Sequence, residues 1–222
     1  MMRAISIPLR KSLTDPGHVA VRQEGFLDHG EEALVAEAQK GNLTAFANIY
    51  EQYYEKIYRY IVVRIGNPAD AEDLAGDVFL KALEAIGSFR SRGVPFSAWL
   101  FRIAHNVAVD HLRKRKRHET NELDQALAVP GPGFEETVEV KLAMEGVASV
   151  MSDLTELQRQ VIALRFAAEL SVAETGHVLQ RKEGAVKALQ HSAIQALRRA
   201  ISRESEARSR RSGKGKGNTA DG

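Results

Sequence analysis

Residues 99–117 combine a helical apolar stripe with a second stripe of hydrogen-bonding and charged side chains. The stretch reads WLFRIAHNVAVDHLRKRKR. At 3.6 residues per turn, four apolar side chains share one face: Phe96, Leu100, Ile103 and Val107. A neighbouring face carries Trp99, Arg102, Asn106, Asp110 and Arg113. These side chains can stack on, hydrogen-bond to and neutralise an anionic ligand. A face that is only solvated does not need so many directional hydrogen-bonding groups.

An arginine-rich aromatic loop precedes this helix, and a run of cations at residues 113–117 follows its last apolar turn. The loop, GSFRSRGVPF, places Phe89, Arg90, Arg92 and Phe96 beside two glycines. Aromatic rings stack on unpaired bases of any sequence and arginines follow the phosphates, so the loop is typical of single-stranded nucleic-acid binding. The alternative is structural: Phe96 fits the core better than a stacking platform, Phe89 fits either, and Trp99 also suits a partly buried position.

Composition excludes several other kinds of chemistry. The 222 residues contain no cysteine, which excludes disulfides, thiolate metal sites and cysteine nucleophiles and indicates a reducing compartment. The sequence has no signal-peptide pattern and no run near the roughly 20 apolar residues of a membrane span, so we expect a cytoplasmic protein. The histidines show no pairing such as H-E-x-x-H, and no phosphate-binding glycine loop precedes a helix. We therefore expect no enzymatic activity, no cofactor and no metal.

Charge and glycine-proline content divide the chain. The net charge of +2 conceals acids concentrated in residues 31–89 and cations in residues 113–117 and 198–216. The stretch around Pro130-Gly131-Pro132-Gly133 is acidic and breaks helices, which predicts a linker. We predict a disordered N-terminal extension (1–30), a first domain (31–117), the acidic linker (118–146), a second domain (147–202) and a basic disordered tail (203–222).

Helical periodicity fills the first domain, and strand patterns are weak. We predict helices over residues 31–40 and 43–65, and a third that opens at Asn67 and Pro68, a favoured N-cap and a favoured first helical residue. In this third helix the core face carries Ala71, Leu74, Val78 and Ala82. The outer face carries Asp70, Asp73, Asp77, Lys81 and Glu84. An acidic stripe of this kind is either a solvated face or a docking surface.

Two capping boxes mark helix starts in the second domain. Thr155 with Gln158, and Ser171 with Glu174, can each satisfy two end amides reciprocally. They predict a helix over residues 156–168 and a short one over residues 172–179. The inward side chains of the first would be Leu157, Val161 and Leu164.

A short connection, residues 180–183, then leads into a longer helix. Lys187, Gln190 and His191 project away from its apolar side, and Gly176 is a small residue where the two helices cross. A short helix, a tight turn and a longer cationic helix are the pattern of a helix-turn-helix, whose second helix enters the DNA major groove. The alternative is an ordinary three-helix bundle.

Three stretches carry a family resemblance: PADAEDLAGDVFLKAL, FSAWLFRIAHNVAVDHLRKRKR and LTELQRQVIALRFAAELSVAETGHVLQRKEGAVKALQHSAIQALRR. In this order and with this linker, the chain resembles bacterial RNA polymerase sigma factors of the sigma-70 family, of the extracytoplasmic-function (ECF) type that keeps only regions 2 and 4. The resemblance covers roughly residues 31–200. It implies an all-α fold of two small helical domains, the region 2 bundle and the region 4 helix-turn-helix, joined by a flexible linker.

The resemblance implies a factor that binds core RNA polymerase, recognises minus-35 and minus-10 promoter elements and promotes DNA melting, with an anti-sigma factor as a further partner. The polymerase contacts it implies are Asp70, Asp73, Asp77 and Lys81. For minus-10 binding and melting it implies Phe89, Arg92, Trp99, Arg102, Asn106, Asp110, Arg113 and Lys114. For minus-35 binding it implies Lys182, Lys187, Gln190 and His191.

The helix-turn-helix departs from the family pattern. Gln180 and Lys182 stand where glycine and then serine are usual, Ser192 where arginine is common and Gly176 where alanine is common. Losing a serine N-cap costs about 1 kcal/mol, and a cation at a helix start opposes the macrodipole. These differences bear on the minus-35 contacts more than on the fold.

A competing function is a stand-alone helix-turn-helix transcriptional regulator. Such a protein dimerises and binds duplex DNA unaided, and the sequence offers no obvious dimerisation helix.

Overall fold

The computed structural model describes residues 28–121 and 151–214, with side chains described for residues 30–118 and 151–203. Within these ranges every regular element is a helix, which confirms the all-α prediction. The helices are α1 (Asp28–Gln39), α2 (Leu43–Ile65), α3 (Pro68–Ala85), α4 (Phe96–Asn121), α5 (Glu156–Ile162), α6 (Val172–Leu179) and α7 (Glu183–Lys214). A 3-10 turn, Ile86–Ser88, follows α3, and a π-helical turn, Ala163–Ala167, continues α5. Across the described part of the chain, no helix combines the length and the apolar character that a membrane span requires.

Asparagine caps begin α2 and α3. Asn67 Oδ1 accepts hydrogen bonds from the amides of Ala69 and Asp70 at 3.0 and 3.3 Å, and Pro68 occupies the first helical position, as the sequence predicted. Asn42 caps α2 in the same way, and the bounds predicted for α2 are those of the structure. These local signals fix where the helices of the first domain start.

The core of the first domain lies where α2, α3 and α4 meet. Its largest fully buried side chains are Ile49, Ile57, Tyr60, Ile61, Val78, Leu100 and Phe101. Burying one side chain of this size stabilises a fold by about 1.5 to 3 kcal/mol. The apolar face predicted for α4 is confirmed: Phe96, Leu100 and Val107 are buried, and Ile103 is partly buried against the same cluster.

Both predicted capping boxes are present in the second domain. The Thr155 hydroxyl accepts from the Gln158 amide, and the Gln158 side-chain oxygen accepts from the Thr155 amide at 2.9 Å. Ser171 and Glu174 make the same pair of bonds, at 3.1 and 2.7 Å. Each box satisfies two amides at a helix start, so α5 and α6 begin where the sequence predicted.

The helix predicted over residues 156–168 changes geometry at Ala163, where the π-helical turn starts. The turn ends at Ala167. Two residues later Glu169 has a left-handed φ of +60°, and the Leu170 amide donates to the Leu164 carbonyl at 3.0 Å. The prediction that Leu157 is buried is wrong. Leu157 lies in the first turn of α5 and is 38% exposed.

A tight turn joins α6 to α7. Gln180 adopts a left-handed φ of +55°, which costs about 1 to 2 kcal/mol for a residue with a side chain, and Arg181 N donates to Gly176 O at 2.9 Å. A Cβ added at Gly176 would lie 2.7 Å from the Arg181 carbonyl oxygen. Glycine at 176 therefore permits this turn. The connection is one residue shorter than predicted, since α7 starts at Glu183.

Helix α4 joins the two domains. Side chains of the second domain belong to the same buried cluster as the core of the first: Ala163, Leu164, Ala168, Leu170 and Val178. Helix α6 packs along α4, and the π-helical turn packs on α2. One side of α4 thus completes the first domain while another side lies under the second.

Helices extend past the predicted domain boundaries at three points. Helix α1 begins at Asp28, α4 continues through 118–121, and α7 continues to Lys214. The last of these extends into the predicted tail, where glutamate and arginine favour helix. The rest of the predicted extension, linker and tail lies outside the described residues.

We expect Gly176→Ala to lower the free energy of unfolding by about 1 to 3 kcal/mol, because the new Cβ overlaps the Arg181 carbonyl oxygen. Gly184→Ala is the matched control: its Cβ meets nothing within 4 Å, and alanine favours a helix by about 1 kcal/mol over glycine. Urea unfolding followed by circular dichroism measures both. A stabilising Gly176→Ala change would contradict the close approach.

Candidate nucleic-acid interface

The polar stripe of α4 lies on the surface, as its periodicity predicted. Arg102, Asn106, Asp110 and Arg113 are exposed, and Trp99 is half-buried. Asp110 Oδ1 and Arg113 Nη1 are 3.6 Å apart on exposed side chains, so this ion pair contributes little stability. Lys114 continues the exposed basic run. The stripe is therefore open to a ligand.

The loop before α4 is held by α1. Gln39 Nε2 donates to the carbonyl oxygens of Ile86 and Phe89, at 3.0 and 2.8 Å. Between α1 and the loop lies a pocket of about 530 Å³, whose walls include Phe89 and Phe96. Arg92 is exposed at the turn of the loop, where its φ is +32°. The rings of Phe89 and Phe96 are largely buried, with exposed fractions of 8% and 4%, and Glu31, Glu32 and Arg90 add charged groups to the lining.

Phe89 itself is a core residue. Its exposed fraction is 8%, and its ring centroid lies 5.5 Å from that of Phe96 and 5.2 Å from that of Trp99. In this conformation the ring has no open face for stacking, which departs from the direct contact with DNA predicted for it. Phe89 instead forms part of the pocket wall next to Phe96.

The acidic face of α3 is exposed over most of its length. Asp73, Asp77 and Lys81 are exposed, whereas Asp70 is half-buried and lies 3.7 Å from His111 Nε2 of α4. Sequence reasoning missed two apolar residues on this surface, Leu80 and Leu83, which are 57% and 40% exposed. Exposed leucines beside carboxylates are typical of a docking surface for another protein.

The longer helix of the helix-turn-helix, α7, carries Lys187 and His191 on its exposed side. Lys187 Nζ lies 3.7 Å from Glu183 one turn earlier. Gln190 differs from these two: it is half-buried, and its side-chain oxygen accepts a hydrogen bond from Arg165 Nε at 3.0 Å. Lys182 is exposed in the turn.

The structure brings parts of the two predicted DNA-binding surfaces together. Arg102 of α4 lines a pocket of about 490 Å³ with His177, Gln180, Arg181 and Lys182 of the helix-turn-helix. Sequence reasoning had placed Arg102 and Lys182 on different promoter elements. Their proximity results from the packing of α6 on α4.

Polar contacts that the sequence did not reveal reinforce this packing. The buried guanidinium of Arg64 in α2 pairs with Glu156 of α5, and the Ser97 hydroxyl donates to Glu174 of α6. Glu169 lies 3.2 Å from Arg59 in α2. A signal for Arg64 was present, since it falls on the same helical face as Ile57 and Tyr60 and so had to be buried and paired.

Beside Arg64, Tyr60 and His105 form a buried pair. The Tyr60 hydroxyl lies 3.1 Å from His105 Nδ1. Burial raises the pKa of Tyr60 to about 12, so the hydroxyl keeps its proton at neutral pH. Burial also lowers the pKa of His105, and the positive charges of Arg64 and Arg102 act in the same direction. The structure therefore holds a neutral imidazole at this position.

Carboxylates at the domain contact are held in their charged form. Burial acts to raise the pKa of Glu156, but Arg64 and the Gln160 amide outweigh it, so the net pKa is lowered. Burial likewise opposes the lowered pKa of Glu174, which the hydroxyls of Ser171 and Ser97 bring about. At neutral pH both charged carboxylates therefore favour the arrangement in which the two domains pack against each other (the closed arrangement).

Two family models match the chain: Sigma-70 region 2 over residues 49–118 and Sigma-70, region 4 over residues 150–199. Together with the helical fold and the exposed stripe of α4, they define a sigma factor that contains these two regions.

Similarity to individual proteins identifies the type of sigma factor. The ECF RNA polymerase sigma factor SigW of Bacillus subtilis is 32% identical over 75% of this chain and 94% of its own. The ECF RNA polymerase sigma factor BldN of Streptomyces coelicolor is 39% identical over 76% of this chain, which spans 64% of the length of BldN. A solved structure of CnrH in complex with the cytosolic domain of CnrY matches with a TM-score of 0.62 and 25% identity, over 78% of this chain and 97% of that one. The chain belongs to the ECF sigma factors of the sigma-70 family.

We expect the free energy of unfolding to fall as the pH is lowered from about 6.5, the usual pKa of histidine, through the lowered pKa of His105. The folded state resists protonation of His105, so the stability that its neutral form provides is complete above that range and is lost below it. Urea unfolding at a series of pH values measures the slope. His105→Gln should flatten it, and His177→Gln, at an exposed position of α6, should leave it in place. A slope that persists in His105→Gln would contradict the assignment.

Proposed function

We propose that this protein is an alternative sigma factor that binds core RNA polymerase, recognises minus-35 and minus-10 promoter elements and promotes DNA melting. The observation that carries the proposal is the exposed stripe of amide, carboxylate and guanidinium groups on α4, together with the arginine-bearing loop that precedes it. Region 2 comprises residues 31–117 and region 4 residues 147–202, separated by the linker. The protein acts in the cytoplasm, where the polymerase is.

At the minus-10 element the stripe captures the melted strand. Asn106 and Asp110 contact base edges, while Arg102, Arg113 and Lys114 hold the phosphates. A base turned out of the stack enters the pocket between α1 and the loop, where Arg92 neutralises its backbone. Extruding a base costs a few kcal/mol, and stacking at about 1 to 3 kcal/mol per base offsets that cost. Trp99, which is half-buried in the first turn of α4 beside Phe89, is the residue proposed to stack.

The polymerase is bound by the acidic face of α3. Asp70, Asp73, Asp77 and Lys81 supply charge, and the exposed side chains of Leu80 and Leu83 supply apolar area beside them. Charged groups steer association, whereas buried apolar area provides more of the affinity. Core polymerase thus meets a surface that is separate from the DNA stripe of α4.

At the minus-35 element α7 lies in the major groove. Lys187 and His191 are exposed on one side of the helix, with Gln190 between them, and Lys182 stands at the turn. Lys182 contacts a phosphate, which also offsets the unfavourable cation at the start of α7. The side chains proposed to read bases are therefore Lys187, Gln190 and His191.

Binding both promoter elements requires the two regions to separate. The elements are centred about 25 base pairs apart, which is roughly 80 to 85 Å of B-DNA at 3.4 Å per pair. Arg102 and Lys182, proposed for different elements, line a single pocket in the closed arrangement. Residues 122–150 provide enough chain to bridge such a gap when extended, at roughly 3.3 Å per residue.

A protein inhibitor is the further partner that we propose. CnrH forms a complex with the cytosolic domain of CnrY, and the fold of CnrH is shared over most of this chain. An anti-sigma factor that binds both regions while they are closed keeps the protein from the polymerase.

Run-off transcription with bacterial core polymerase and a pool of genomic fragments tests the function. We expect new defined start sites that appear only with the protein. Asn106→Ala should weaken initiation by roughly 5- to 150-fold, the equivalent of about 1 to 3 kcal/mol, because it removes one base contact. Asn48→Ala, the same substitution at an exposed position of α2, is the control and should initiate normally.

Two results would count against the proposal. Duplex binding by the protein alone, without association with core polymerase and without new start sites, would identify a stand-alone regulator. Equal activity of Asn106→Ala and Asn48→Ala would remove Asn106 from the minus-10 contacts.

A further inference from the structure

Arg165 holds one of the proposed base-reading side chains. It lies in the π-helical turn of region 4 and is half-buried. Its Nη1 donates to the carbonyl oxygen of Leu170, and its Nε donates to Oε1 of Gln190 on α7 at 3.0 Å. Two donors on one rigid guanidinium thus tie the chain after the π-helical turn to the DNA-reading helix.

The chemistry of arginine decides which way the Gln190 amide faces. A guanidinium has only donors, so the group of Gln190 that can bond to it is the carbonyl oxygen, not the amide nitrogen. The assignment of oxygen and nitrogen at Gln190 therefore follows from the partner. Among the residues whose side chains are described, none accepts a hydrogen bond from the Gln190 amide nitrogen.

An amide held in this way reads bases differently from a free one. An unrestrained glutamine recognises adenine by accepting from N6 and donating to N7 at once, which requires both ends of the amide to face the base. Here the oxygen points to the π-helical turn, and only the amino group is left for the groove. Guanine offers two adjacent acceptors, O6 and N7, to such a donor.

We propose that Arg165 is a positioning residue that sets base specificity: by holding the oxygen of Gln190, it makes this side chain select guanine over adenine at its base of the minus-35 element. The inference rests on the proposed function, because it takes Gln190 as a base reader. Arg165 itself touches no base.

The test is a library of promoters, taken from the start sites found by run-off transcription, in which each minus-35 position carries all four bases. Sequencing of the transcripts gives the preference at each position. With the unaltered protein we expect one position to favour guanine over adenine by roughly tenfold. With Arg165→Ala the amide is free to turn, and this ratio should fall to within about threefold, with adenine gaining.

Gln190→Glu provides a second test that does not depend on how Arg165→Ala folds. Glutamate keeps an acceptor for Arg165 but has no donor for the groove, so the preference at that position should move from guanine to cytosine, whose N4 is a donor. Arg159→Ala is the control for Arg165→Ala, since Arg159 is another half-buried arginine of region 4, paired with Glu156. It should leave the preference for guanine intact even if total activity falls.

Unchanged base preferences in Gln190→Glu, with promoters still in use, would overturn the proposal. A preference for adenine by the unaltered protein would overturn it as well. Absence of protein-dependent start sites from every promoter is a different result: it would reject the sigma-factor function on which the inference rests.

Discussion

The packing of α4 constrains the rest of the structure. The apolar stripe of Phe96, Leu100 and Val107 completes the core of region 2. Another side of the helix packs against α6 of region 4, where Ser97 donates to Glu174. With these two sides buried, the remaining face carries the exposed polar stripe. The geometry that leaves this stripe exposed is therefore the same geometry that docks region 4.

The apolar contact and the polar contacts between the regions have different roles. Fully buried side chains such as Leu164 stabilise the closed arrangement through area removed from water. Ion pairs such as that of Arg59 with Glu169 are partly exposed, and pairs of this kind contribute about 0 to 1 kcal/mol. Arg64 is the exception, because its guanidinium is buried and depends on Glu156. The polar contacts fix how the regions align, and the buried apolar contacts supply more of the stabilisation.

Local signals were sufficient to predict much of the fold. The asparagine cap at Asn67 and both capping boxes depend on residues a few positions apart, so sequence alone located the helix starts. The contacts missed were long-range: Arg64 with Glu156 joins residues 92 positions apart, and Arg165 with Gln190 joins residues 25 apart. Phe89 could not be placed from sequence either. The sequence showed an aromatic residue in the loop, but its ring is buried because Phe96 and Trp99 pack against it in the folded structure.

The most direct test of this account is the distance between the two regions during initiation. The chain has no cysteine, so cysteines placed at Gln52 of α2 and Arg199 of α7, both exposed, can carry spin labels for pulsed electron paramagnetic resonance. For the protein alone, the account predicts a single short distance between the two spin labels. It predicts an increase of tens of ångströms, toward the roughly 80 to 85 Å between promoter elements, when core polymerase and promoter DNA are added. A distance that stays short in a complex that is making transcripts would contradict it.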